Sequence, residues 1–324
     1  MPAQARSGGL LRAGERVGRF RVGWLVGIGA TSEVYVATDE RQRRDVVLKL
    51  ISVTGSAQDE LRRLQREVAV LAAARHPNVL RVYECGQLND RAYLITDFAE
   101  GGSLEVRLRG TRAATPEAMR LLTGMAAGLD HIHALGIVHG DVKPANVLLT
   151  SGARPLLADF GIARLPSQNS GVTQPRHSAH PLGTPLYMSP EQVRNESLTP
   201  ASDVYSTAVV AYQLLSGRLP FEAEVSADVM YMHLTATATP ASAVVPNLPP
   251  ALDEVLARGM AKSPDDRWSR CSAMVTAITT ALATPAPAVA TEEREAANVR
   301  PPKPKGRLIA KLLPRYESRS RARA

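Results

Sequence analysis

The sequence predicts an α+β chain in two unequal lobes. A small, mostly antiparallel sheet with one main helix comes first, and a larger, mostly helical lobe follows. Three observations predict it. From Phe20 to Leu50 the apolar residues alternate or cluster in β-branched runs between glycines and charged turns, the pattern of strands. The glycine-rich EGGSL then interrupts the chain like a hinge, and helices dominate from Pro190 to Leu282. The stretch ATPAPAVAT closes the pattern. The chain thus divides into a flexible N-terminus at 1–17, a folded body at 18–282 and a disordered Pro/Ala linker with a basic tail at 283–324. Within the body the small lobe covers about 18–96 and the large lobe about 97–282.

Taken in order, RFRVGWLVGIG, EVYVATDE and RDVVLKLI are three strands. AQDELRRLQREVAVLAAAR sets Leu61, Leu64, Val68 and Leu71 on one helical face, and Pro77 ends it. VLRVYECGQ and AYLITDF are two further strands joined by LNDR. TPEAMRLLTGMAAGLDHIHALG is a helix with Thr115 as its cap. ARPLLADFGIARL is a short strand running into a turn. Residues 165–183 are rich in Ser, Pro, Gln and His without a period and read as a mobile segment.

Hydrophobic residues make up 44% and charged residues 22%, ordinary for a globular protein. Cys85 and Cys271 are far apart and form no disulfide or metal framework, which points to a reducing compartment. No signal peptide opens the sequence, and the most apolar run, STAVVAYQLL, is too short to span a bilayer and reads as a buried helix. These features describe a soluble, cytoplasmic protein. Of the net charge of +8, the stretch from Thr291 to Ala324 carries +6. The basicity belongs to the tail rather than to a nucleic-acid-binding face, so no specific nucleic acid is expected. GRLIAKLLPRY within that tail suits contact with an anionic membrane surface or an acidic partner, beside the plainer reading of a solvated tail.

Four stretches carry chemistry. GIGATSEV brings Gly27, Ile28, Gly29 and Ala30 between two strands, where glycines let backbone amides approach phosphate oxygens. Ser32 stands where a third glycine is usual, and a hairpin with glycines in its turn explains the stretch as well. Lys49 lies in the apolar run VVLKL; it either snorkels to water or needs a counter-charge, for which Glu67 is the obvious choice. HGDVKPAN supplies Asp141, Lys143 and Asn146, and ADFG supplies Asp159. The amide of Asn146 and the carboxylate of Asp159 are oxygen donors of the kind a hard divalent ion takes. His177 and His180, spaced H-x-x-H without acidic companions, read as solvated.

In this order GIGATSEV, VVLK, Glu67, HGDVKPAN, DFG, GTPLYMSPE, SDVYSTAVV and KSPDDRW resemble the eukaryotic-like (Hanks-type) serine/threonine protein kinases of bacteria over about residues 18–282. The resemblance implies the bilobal protein-kinase fold and transfer of the ATP γ-phosphoryl group, with Mg²⁺ or Mn²⁺, to Ser and Thr hydroxyls of protein substrates. It implies a role for each matching residue. Asp141 accepts the hydroxyl proton, Lys143 neutralises the transferred group, and Lys49 is held by Glu67. Asn146 and Asp159 hold the metal, and Thr184 bonds Asp141 and Lys143. The nucleotide sits against Gly27, Ile28, Gly29, Ala30, Val34, Val47, Lys49, Thr96, Asp97, Ala99 and Leu148, with Thr96 as gatekeeper. Asp203 anchors the catalytic loop and Glu191 pairs with Arg267.

Three positions depart from the family pattern: Val47 for Ala, Ser189 for Ala and Gly140 for Arg. His-Gly-Asp also occurs in small-molecule kinases acting on aminoglycosides or choline. Lys143, GTPLYMSPE and SPDDRW favour the protein kinases over them, and the full set of motif residues favours an enzyme over a pseudokinase scaffold. Without Arg at 140, a phosphate on Ser167, Ser170, Thr173 or Ser178 finds no partner there. Control then passes to lobe contacts, a homodimer or a partner bound through the tail.

Overall fold

The computed structural model describes residues 9–29, 32–52, 65, 75–109, 112–159 and 185–284. The helix expected over AQDELRRLQREVAVLAAAR (apart from residue 65 and Arg75), the segment 165–183 and the basic tail lie outside these residues.

One sheet is built from β1 (Arg16–Val17), β2 (Phe20–Ile28), β3 (Ser32–Asp39), β4 (Arg44–Ser52), β5 (Val82–Leu88) and β6 (Arg91–Asp97). Its order is β1-β2-β3-β4-β6-β5, and every neighbouring pair is antiparallel. The register decides which side chains share a face. Val34 pairs with Lys49 and Lys49 with Leu94; Val36 pairs with Val47 and Val47 with Thr96. Cross-strand partners point to the same side, so these six residues form one face. The opposite face carries Tyr35, Ala37, Val46, Leu48, Leu50 and Ile95, which pack with Val17, Phe20 and Val22 as the small-lobe core.

Part of the N-terminal stretch expected to be flexible is tied to that sheet. The amides of Leu10 and Leu11 donate to Glu33 Oε2 at 2.9 Å and to the Tyr35 hydroxyl at 3.1 Å. Gly14 N–H donates to Val22 O at 2.8 Å, and Val17 is 3% exposed. A strand of two residues is too short to display a period, which is why the sequence conceals it.

The helical lobe contains α1 (Leu104–Arg107), α2 (Thr115–Ala134), α3 (Pro190–Val193), α4 (Pro200–Ser216), α5 (Ser226–Thr235), α6 (Ala241–Val244), α7 (Pro250–Gly259) and α8 (Cys271–Ala283). Thr115 is not the cap of α2. Ala118 N–H bonds Ala114 O at 2.9 Å, which places Thr115 inside the first turn. STAVVAYQLL lies in α4, where all of Ser202–Ser216 except Gln213 is buried, as its unbroken apolar run predicts. Among the described residues no helix is long and apolar enough to cross a membrane.

A two-stranded sheet, β7 (Val147–Leu149) with β8 (Pro155–Leu157), lies at the seam between the lobes. Leu80 N–H donates to Leu157 O at 2.8 Å and Leu157 N–H to Asn78 O at 2.9 Å. Asn78 Nδ2 adds a bond to Pro155 O at 2.9 Å. Two glycines of α2 allow this approach. A Cβ on Gly124 would stand 2.6 Å from Pro155 Cγ, and one on Gly128 would stand 2.9 Å from Asn78 O.

His233 of α5 is fully buried, with the Tyr205 hydroxyl 2.9 Å from Nδ1. Burial, with Lys262 as a lesser cause, holds its pKa down at about 4. The folded chain therefore keeps His233 neutral while the unfolded chain binds a proton below the ordinary imidazole value of 6.5. Stability from this group is complete above that value and is lost as pH falls toward 4, by roughly 3 kcal/mol. Urea midpoints between pH 7 and pH 4 should fall less steeply in His233→Gln than in the wild type. Equal slopes would refute this assignment.

Candidate active site

The cleft face of the sheet carries Val34, Val47, Lys49 and Thr96 together, by the register given above. Leu148 and Ala99 face it from the large lobe, packed on the small cluster of Leu80, Leu156 and Ala158. Gly29 N–H bonds Ser32 O at 2.7 Å and closes the turn between β2 and β3. Ile28 is exposed there, and a Cβ on Gly27 would meet nothing within 4 Å. The Asp97 side chain turns elsewhere: its carboxylate accepts from the Tyr83 hydroxyl, so only its main chain is left for the cleft. Ala30, Glu67 and Thr184 lie outside the described residues.

Lys49 and Asp159 meet across the cleft, the ammonium donating to the carboxylate. The sequence offered Glu67 as partner; among the described residues the counter-charge is Asp159, 110 positions away. Asp159 has φ +52°, a left-handed backbone that side-chain-bearing residues seldom adopt.

Between α2 and β7 the chain forms a tight constellation. Lys143 Nζ donates to Asp141 Oδ2 at 2.8 Å. Asn146 Nδ2 donates to the same oxygen at 2.8 Å and to Asp141 O at 2.9 Å. A single 3₁₀ turn, Pro144–Asn146, sets this geometry, closed by Asn146 N–H to Lys143 O at 2.9 Å. Ala158 N–H then bonds Asn146 O at 2.9 Å, which brings Asp159 beside Asn146. With its nitrogen committed to Asp141, Asn146 keeps its amide oxygen for a cation, and Asp159 adds a half-exposed carboxylate. This donor set suits a hard divalent ion.

Asp203, 1% exposed, holds the loop from beneath. Its Oδ1 accepts from Gly140 N–H at 2.8 Å, and its Oδ2 from His139 N–H at 2.8 Å. His133 Nε2 stands 2.7 Å from Oδ2. Asp141 N–H donates to His139 Nδ1 at 3.2 Å, so Nε2 carries the proton toward Ala158 O at 3.1 Å. Burial lowers the His139 pKa, which agrees with this neutral form. Gly140 has φ +69°. The residue read as a missing charge is also the one that takes this backbone without strain.

Glu191 and Arg267 form a two-bonded pair at 2.7 and 2.8 Å, with side chains 3% and 0% exposed. Burial pushes the Glu191 carboxyl up, but hydrogen bonds from Arg267 and Ser202 outweigh it and hold it below its ordinary value. Arg267 also donates to the carbonyls of Ala201, Ala261 and Lys262.

Sequence reasoning missed Gln192. Its Nε2 donates to Gly140 O at 2.8 Å, and its Oε1 accepts from Ser189 N–H at 2.9 Å. The S-x-x-Q spacing of a capping box was a signal for the second bond but not for the first.

Comparison with known proteins gives the family. Residues 20–279 match the protein kinase domain family. The chain is 33% identical over 276 residues to a probable serine/threonine-protein kinase PknB of Bifidobacterium longum, covering 81% of this chain and 39% of that protein. It is 34% identical over 275 residues to serine/threonine-protein kinase PknE of Mycobacterium bovis, covering 84% and 48%. It is 35% identical over 276 residues to serine/threonine-protein kinase PknD of Mycobacterium tuberculosis, covering 84% and 41%. The chain therefore belongs to the protein kinase family, among its bacterial serine/threonine members. It spans less than half the length of these relatives.

Proposed function

We propose that this chain is an active serine/threonine protein kinase, working in the cytoplasm, that transfers the γ-phosphoryl group of ATP to protein hydroxyls. The observation that carries the reading is convergence. Asp141, Lys143 and Asn146 bond one another on one side of the cleft, and Lys49 reaches Asp159 across it.

In this reading Asp141 orients the substrate Ser or Thr hydroxyl and takes its proton as the oxygen attacks the γ-phosphorus, while the bond from that phosphorus to the bridging β,γ-oxygen breaks and ADP leaves. Lys143, already 2.8 Å from Asp141, is placed to balance charge on the transferred group. Lys49 holds the nucleotide phosphates from the sheet side. A divalent cation, Mg²⁺ by preference, would supply neutralisation of the phosphate oxygens when held by Asn146 and Asp159. Val34, Val47, Ala99 and Leu148 would flank the base, with Thr96 behind it.

The platform formed by Ser189, Glu191 and Arg267 favours a protein substrate over a small one, since it braces the segment that would receive a peptide. The basic stretch 291–324 carries no catalytic motif; beside the plainer reading of a solvated tail, its charge and the apolar run GRLIAKLLPRY would suit an anionic surface or an acidic partner. The test is incubation of the purified chain with ATP and Mg²⁺, read by intact mass. A ladder of added phosphates, abolished by omitting the metal, is expected. ATP binding without any phosphate on the chain or on generic protein substrates would overturn the reading in favour of a scaffold.

A further inference from the structure

We infer that Gln192 is a positioning residue for the catalytic base, acting through the peptide unit that joins Gly140 to Asp141. The inference rests on the kinase reading above. That peptide unit is held at both ends: its oxygen accepts from Gln192 Nε2 at 2.8 Å, and its N–H donates to His139 Nδ1 at 3.2 Å. The peptide before it is fixed by Gly140 N–H to Asp203 Oδ1 at 2.8 Å. Such restraint matters at this position. Gly140 has no side chain, sits at φ +69° and rotates more freely than any other residue type would. The backbone that carries Asp141 therefore takes its orientation from bonds made by other residues.

Gln192 is itself fixed. Its Oε1 accepts from Ser189 N–H at 2.9 Å, and its own N–H donates to Ser189 Oγ at 3.4 Å. With the oxygen turned to an N–H, the NH₂ group has one orientation left, toward Gly140 O. The neighbouring Glu191 is locked to Arg267. A rigid path therefore runs from the start of α3, where the peptide platform ends, to the residue before the base. It crosses 52 positions of sequence. A disturbance of the platform reaches Asp141 through one amide.

Two substitutions isolate the donated bond. Gln192→Glu keeps an oxygen for Ser189 N–H, but an ionised carboxylate cannot donate to Gly140 O and repels it. Gln192→Met removes both functions at similar size. At pH 8 both should lower kcat for a peptide substrate about tenfold, the effect of one hydrogen bond at a positioning group. KM for ATP should stay within about twofold, since Gln192 touches none of the groups assigned to the nucleotide.

The decisive readout is pH. Once protonated, the introduced carboxyl donates again, so kcat of Gln192→Glu relative to wild type should rise at least about threefold between pH 8 and pH 5.5. The Gln192→Met ratio should stay flat. The readout is the change of each ratio between the two pH values, so a loss of folded enzyme that does not vary with pH cancels. Wild type without activity refutes the kinase reading and not the bond. Active wild type with unchanged kcat in Gln192→Glu, or parallel pH profiles for the two variants, overturns the inference.

Discussion

Asp141→Asn should lower kcat for peptide phosphorylation by about a thousandfold, the worth of a positioned general base. Asn has the size and shape of Asp, so packing survives, but its amide cannot take the hydroxyl proton. It also disturbs the constellation. Asp141 Oδ2 accepts from both Lys143 and Asn146, and an amide oxygen is a poorer partner for the ammonium. ATP affinity should change little, because the nucleotide contacts are assigned to other residues and the Lys49–Asp159 pair is left intact. Single-turnover phosphorylation beside equilibrium nucleotide binding separates the two effects. A loss of less than tenfold in the chemical step would remove Asp141 from the role of base.

Arg267→Met should destabilise the folded chain by roughly 3–5 kcal/mol, because it leaves a buried carboxylate uncompensated. Glu191 is 3% exposed, and Arg267 supplies both of its strong bonds. Three carbonyls, of Ala201, Ala261 and Lys262, lose a donor at the same time. Glu191→Gln combined with Arg267→Met should cost less than Arg267→Met alone, since no charge is then stranded.

The pH dependence should reverse in sign. In the wild type the carboxyl pKa is held down, so its contribution is present above the ordinary value of 4.5 and is lost as pH falls below it. With Arg267 gone burial dominates, the carboxyl pKa rises, and acid should relieve the strain. Urea melts at pH 5 and pH 7.5 test this. A single variant no less stable than the wild type would refute the account.

The sequence disclosed the parts whose signal is local. Alternation in EVYVATDE and RDVVLKLI gives two strands, and the two faces of the sheet then follow from their register. Asp141, Lys143 and Asn146 are close in sequence, so one turn brings them together. Contacts between distant residues left no such trace. Lys49 lies 110 positions from Asp159, and Glu67, the acid the sequence offers it, lies outside the described residues. Gln192 reads as the end of a capping box, and nothing near it in sequence shows where its second bond goes. Gly140 reads as a charge lost, whereas its φ of +69° is a backbone property that no composition reveals. Thr115 fails as a cap for a smaller reason: the first turn of α2 closes one residue earlier than its side chain requires.

The seam at Asn78–Leu80 has a mechanical consequence. Main-chain bonds to Leu157 fasten this short segment to the large lobe, although in sequence it belongs to the small one. Gly124 and Gly128 bring the backbone of α2 so close that the seam cannot slide without a collision. A tilt of the small lobe about this line would leave those main-chain bonds in place. The strand order makes the tilt uneven. β5 begins just past the seam, while β2 lies four strand spacings away, about 19 Å. A tilt of about 10° would therefore carry the Gly27–Gly29 turn about 3 Å while the β5 end of the sheet hardly moves. The throw of such a tilt would be set by the width of the sheet.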